Sequence, residues 1–168
     1  MAIRPIVLLG DPILRQKAVK VSRFDQSIQE LIDDMVDTMR DAPGVGLAAP
    51  QVGVPLRIVV VDVEDQLYVL CNPEIVESSG EYEPEEGCLS IPGYVANVKR
   101  AEAVKVKAKN RRGKQIKIKA DGLLAHVFQH EIDHLDGILF IDRLPSMDLL
   151  RKVPSQPVEE AKSEVEAS

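Results

Sequence analysis

The sequence predicts an α+β fold, with helices and antiparallel strands in separate stretches of the chain. Three observations predict it. Apolar residues recur at helical spacing after Asp25, apolar residues alternate with lysines on both sides of a turn near residue 111, and a helix apolar over most of its circumference follows Asp121. At 168 residues the chain suits one domain with a core of its own. With aromatics at 4% and no Trp, that core must rest on Val, Ile and Leu.

Asp25 can cap a helix in which Ile28, Leu31, Ile32, Met35, Val36 and Met39 share one face. Gly44, Val45 and Gly46 then read as a loop. The run from Leu56 to Val63 is too continuously β-branched for an amphipathic helix and reads as a buried strand. Leu67 to Cys71 is expected to pair with it across a turn at Glu64, Asp65 and Gln66. Gly87, Pro92 and Gly93 mark the segment around Cys88 as an irregular, permissive loop.

Further on, Val104, Val106 and Ala108 alternate with Lys105, Lys107 and Lys109, and Ile116 and Ile118 alternate with Lys117 and Lys119. Asn110, Arg111, Arg112 and Gly113 between them complete a hairpin with one wet face. The lysines read as that solvated face, since no interleaved aromatics offer base stacking. Asp121 caps the helix that runs to Asp136, with Gly137 as its stop. Residues 1–150 are expected to form the folded domain and 151–168 an acidic, disordered tail rich in Glu, Ser, Ala and Pro.

A net charge of −6 and a pI near 5.1 argue against stable binding to nucleic acid or anionic membranes. No apolar run approaches the ~20 residues of a membrane span, and the first residues lack a signal-peptide layout. A cytoplasmic protein is expected. There the two cysteines, Cys71 and Cys88, read as free thiols or as one ligand and one core residue.

The chemistry concentrates on the last helix. His130 and His134 stand four residues apart, about 6 Å along the axis, so both imidazoles can reach one tetrahedral ion. Glu131 points to one side, where it can take a proton from the attacking water instead of coordinating. A third histidine ligand, as in some zinc peptidases, is excluded because its position holds Phe140. Glutamates after the helix fall only in the acidic tail. His126 would lie about 12 Å along the axis from His134, too far for one ion on a straight helix, and reads as a lining residue. Cysteine remains. Cys88 in its permissive loop is the expected thiolate ligand, leaving one coordination position open, and Cys71 in its strand-like run is a buried structural thiol.

Three separated segments resemble the signatures of the peptide deformylase family. Residues 44–51 (GVGLAAPQ), 86–90 (EGCLS) and 129–135 (QHEIDHL) are intact and in order, and the resemblance runs from about Ile6 to Leu144. It implies short antiparallel sheets packed around a central C-terminal metal-binding helix. It also implies that Cys88, His130 and His134 hold one divalent ion, commonly Fe(II), with zinc or nickel possible in purified protein. Glu131 would be the general acid/base, with the Gln51 amide and the Leu89 backbone N–H as donors to the oxyanion. Substrate binding would fall to Val45, Gly46, Glu86, Gly87, Leu89, His126 and Val127. The implied substrate is the N-formyl-methionyl end of a nascent chain, cleaved to formate and a free amine by a monomer.

Two departures stand out. His126 occupies a pocket position where many relatives carry arginine or an apolar residue, which leaves side-chain preference open. The tail lacks the basic C-terminal helix through which some relatives dock on the ribosome, so any ribosome contact is expected to be transient. Two rival readings remain: a metallopeptidase or other amidase sharing the metal helix, and a catalytically idle module that binds metal or nascent chains. The first predicts no particular role for Gln51, and the second a lost Glu131, Gln51 or ligand.

Overall fold

The computed structural model describes residues 2–153. Asp25, extended in backbone, accepts a hydrogen bond from the Ile28 N–H at 3.2 Å and starts α1 (Gln26–Asp41). The residues that α1 buries include all six of the predicted apolar face. The strands are β1 (Gly46–Ala48), β2 (Ile58–Val63), β3 (Gln66–Ser79), β4 (Glu85–Cys88), β5 (Ile91–Asn97), β6 (Ala103–Lys109), β7 (Gln115–Asp121) and β8 (Arg151–Lys152). They form a five-stranded sheet in the order β1-β2-β3-β6-β7 and a three-stranded sheet in the order β4-β5-β8, with every pairing antiparallel. The second helix, α2 (Gly122–Leu135), follows β7 directly. The class is α+β, as the sequence predicts.

The continuous apolar run in β2 has a simple cause, because both faces of this strand are covered. Val59, Val61 and Val63 join Val106 of β6 and Phe128 and Leu135 of α2 in one core. Ile58 and Val60 face the other way, into a core with Ile32, Met35 and Met39 of α1. The sheet is thus sandwiched between its two helices, and α2 is central. A third cluster of Leu14, Ile91, Ala96, Leu139 and Phe140 packs the small sheet onto the rest.

The β2–β3 turn is tighter than expected: Glu64 and Asp65 alone make it, both at positive φ (54° and 61°), the geometry that matches strand twist in a two-residue hairpin. Strand β3 also continues past Asn72 and Pro73 to Ser79, where the sequence signals a stop. The ladder shifts there, and Asn72, at φ 52°, instead binds the Val21 backbone through both side-chain atoms. The predicted β6–β7 hairpin forms, with Val106 opposite Ile118 and Lys107 opposite Lys117. Glu74 and Glu77 of β3 stand across from Lys107 and Lys105, so the lysine face is partly balanced within the sheet.

The expected loop around Cys88 is instead two strands, β4 and β5, joined by a turn at Leu89 and Ser90. Gly46, likewise read as loop, opens β1. The residues that suggested a loop are accommodated by the pairing: Gly93 takes φ 85°, and the register shifts between Gly87 and Cys88. Arg151 and Lys152, assigned by the sequence to the acidic tail, form β8, and the tail from residue 154 lies outside the described residues. No helix among the described residues is long and apolar enough to cross a membrane.

Candidate active site and metal centre

Helix α2, strand β4 and the start of β1 converge on one cavity of about 560 Å³. Val45 and Gly46 enter it from one side, and Gln51 from the 3-10 turn after β1. Glu86, Gly87, Cys88 and Leu89 supply a second wall, and His126, Val127, His130 and Glu131 supply the α2 wall. Of the expected site residues only His134 is not in the lining; it sits behind, 1% exposed. A larger hollow of about 750 Å³ shares none of these residues and holds no such group.

Cys88, His130 and His134 bring one potential ligand atom each to within 4.8 Å of the others. The Cys88 Sγ lies 3.4 Å from His134 Nε2, and the two imidazole rings stand 5.0 Å apart between centroids. Two ring nitrogens and one sulfur match the donor set that holds zinc or iron and leaves a position open. His130 is oriented for this. Its Nδ1 donates to Glu86 Oε1 at 2.7 Å, because a carboxylate can only accept, which turns Nε2 toward the cluster. Against the effect of burial, Cys88, Glu131 and Glu86 hold the ring well above the usual histidine range, so a cation bound at Nε2 would displace a proton. Burial and the neighbouring His130 hold His134 well below the usual histidine range, in the neutral form that a ligand needs. The residues present fit a divalent ion.

Glu86 does more than line the pocket. It is 3% exposed, and both its oxygens are engaged: by the Arg100 guanidinium through Nε and Nη2, by His130, and by His126 Nε2 at 2.9 Å. Burial alone would raise its carboxyl, but these hydrogen bonds hold it well below the usual carboxylate range. Arg100 also reaches Asp133 at 2.8 Å, and Asp133 is clasped by Arg143 through both oxygens. The result is a chain of polar and charged groups from His126 to Arg143 beside the candidate ligands. His126 is tied into it rather than into the ligand set.

Sequence reasoning missed Arg100 and Arg143, and gave Asp133 no role although it lies inside the third signature. The one available signal was Asp133 itself, a carboxylate on a mostly apolar helix, which demands a cationic partner. Removing Arg100 should therefore destabilise strongly, because Glu86 would keep a buried charge without its main partner. Arg100→Met is expected to cost about 3–5 kcal/mol in denaturant unfolding. An unfolding midpoint equal to the parent's would show that the network is not bearing on stability.

Gln51 is 1% exposed and fixed at both ends of its amide. Its Oε1 accepts from the Ala48 N–H at 3.0 Å, which turns Nε2 toward Ser90 Oγ (3.1 Å) and Cys88 Sγ (3.7 Å). A donor is thus held beside Cys88 in the candidate cluster. Cys71, in contrast, is wholly buried in β3, and burial pushes its thiol up to about 11. Metal content should accordingly collapse in Cys88→Ala and stay near one per chain in Cys71→Ser, measured by elemental analysis. Full retention at the native site by Cys88→Ala would remove the thiolate from the ligand set.

Comparison with known proteins agrees with this geometry. A family model described as polypeptide deformylase matches residues 3–149. The chain is similar to the peptide deformylase of Heliobacterium modesticaldum, at 54% identity over 144 residues that cover 86% of this chain and 95% of the relative. Its fold is similar to the crystal structure of a peptide deformylase from Legionella pneumophila, with TM-score 0.85, 49% identity, and coverage of 99% and 95% of the two chains. The Thermotoga maritima peptide deformylase structure superposes with TM-score 0.85 at 42% identity, covering 87% of this chain and all (100%) of that one. With the matched region spanning every residue of the cluster, this chain belongs to the polypeptide deformylase family.

Proposed function

We propose the division of labour by which this peptide deformylase removes the formyl group from N-formyl-methionyl peptides, releasing formate. The observation that carries it is the convergence of Cys88, His130 and His134 within 4.8 Å of one another, beside a cavity that Glu131 and Gln51 also line. Cys88, His130 and His134 would hold one divalent ion. Fe(II) is the proposed ion in the cell; zinc stands above iron in intrinsic affinity and can replace it in purified protein. When bound, the ion supplies Lewis acidity that makes a water nucleophilic near neutral pH.

Glu131 takes a proton as the water oxygen adds to the formyl carbon. The carbonyl oxygen then carries negative charge, and the Gln51 Nε2 and Leu89 N–H groups donate to it without having to reorganise. As the C–N bond breaks, Glu131 returns the proton to the departing nitrogen, giving formate and a free amine. Val45, Gly46 and Gly87 offer backbone to an extended peptide, and Leu89, His126 and Val127 face its side chains. Glu86 acts through His130, fixing its tautomer, which makes it a positioning residue.

We further assign this chemistry to residues 1–150, with β8 at the rim of the cleft, and place it in a cytoplasmic monomer that makes at most transient contact with the ribosome. The test is formate release from formyl-Met-Ala by iron-loaded, oxygen-protected protein, against acetyl-Met-Ala and an internal peptide bond. Cleavage of the formyl peptide alone is expected. Cleavage of internal bonds without formate release would replace this reading with a metallopeptidase.

A further inference from the structure

The cavity has two ends that differ in exposure. Its inner end is closed by Gln51, Glu86, His130 and Glu131, each no more than 8% exposed. Its mouth carries four half-exposed apolar side chains: Val45 (41%), Tyr94 (40%), Leu123 (51%) and Val153 (41%). Three of these sit within or beside segments already assigned to the site or its sheet. Val153 does not. It follows β8 and lies beyond the region that the family model matches, which ends at residue 149.

Specific contacts bring it there. Lys152 pairs with Tyr94 and Arg151 with Val95, and the Val153 N–H donates to the Gly93 carbonyl at 2.8 Å. The Arg151 guanidinium crosses β5 to Asn97 Oδ1 (3.1 Å) and Glu85 Oε2 (2.7 Å), tying β8 to the strand that bears Cys88. That ion pair also offsets the Glu85 carboxylate, which lines the same cavity. Core packing does not explain the position of Val153, since its side chain stays substantially exposed at the rim. An apolar group held at a cleft mouth by a strand and an ion pair is placed to meet something apolar.

What passes through the mouth follows from the reaction. The formyl carbon must lie at the ligand cluster, at the closed inner end, so the peptide beyond formyl-methionine leaves through the open one. We propose that β8 completes the substrate cleft: with Tyr94 and Leu123, Val153 forms an apolar rim that selects for apolar residues following the formyl-methionine. This rests on the deformylase reading above. Val153 is thereby a specificity-determining residue just past the stretch that the family model matches.

The experiment uses the full chain, metal-loaded, and compares formyl-Met-Leu-Phe with formyl-Met-Ala-Ser in the parent, Val153→Ser and the conservative Val153→Ile. In Val153→Ser the preference for the apolar peptide, as a ratio of kcat/KM values, should fall about three- to tenfold, through KM more than kcat. Val153→Ile should keep it. An unchanged ratio overturns the proposal, and so does an equal loss on both peptides with lowered Tm or metal content, since that marks a structural role. Calorimetric affinity for the product Met-Leu-Phe makes the same comparison without turnover, and equal affinities in parent and Val153→Ser overturn the proposal too. Absence of formate release by the metal-loaded parent would instead sink the deformylase reading, a result distinct from any difference between variants.

Discussion

Glu131→Gln is expected to lower kcat by about 10²–10⁴-fold while metal content and Tm stay near those of the parent. Glutamine keeps the shape of the side chain but cannot accept and return a proton. The surroundings suit that task. Glu131 is 4% exposed, its Oε1 has no hydrogen-bond partner among the described residues, and its Oε2 lies 3.9 Å from His130 Nε2. Burial pushes its carboxyl up to about 7, against the pull of His130, and a bound cation would draw it back down toward the base form that the first proton transfer needs. Gly46 makes room for it: a Cβ there would come within 2.7 Å of Glu131 Oε2 and 2.9 Å of its Cγ. Gly46→Ala should therefore push the carboxylate aside and lower kcat as well, with Cys88, His130 and His134 untouched. Near-normal turnover by metal-replete Glu131→Gln would show that another group handles the proton.

The parts of this site that were legible in the sequence are those encoded locally. Residues four apart on a helix must share a face, so His130 and His134 are paired by helical geometry whatever the fold around them. The cap at Asp25 and the two-faced run of β2 are also local patterns, and both form as expected. What stayed hidden depends on partners distant in sequence. Strand β5 holds Pro92 and Gly93, poor strand residues, and it is a strand because β4 and β8 flank it. Glu86 enters as a pocket residue only through the resemblance of its segment to the second family signature. Its orienting role emerges only when Arg100, His126 and His130 arrive from three other points along the chain. Asn72 and Pro73 look like a stop for the same reason: the pairing that carries β3 onward comes from β6, some thirty residues later.

Gln51→Leu is the second large effect, with kcat expected to fall roughly 10²–10³-fold, as for loss of one oxyanion donor elsewhere. Gln51 lies far from α2 in sequence, and a generic metal-helix hydrolase gives it no part. Its Nε2 is nevertheless held 3.7 Å from Cys88 Sγ, with the amide orientation fixed by the Ala48 N–H on Oε1. A donor so fixed gains more from a developing oxyanion than from a neutral carbonyl, so the loss should fall on kcat more than on KM. Leucine also leaves the buried Ala48 N–H without its acceptor, which is expected to cost about 1–3 kcal/mol of stability. Tm and kcat per bound metal separate the two effects. If Gln51 serves the oxyanion, turnover per bound metal falls together with Tm. If it serves only the loop, Tm falls in Gln51→Leu and kcat per bound metal stays at the parent level. That second outcome, measured at full metal occupancy, would return weight to a hydrolase that works without this residue.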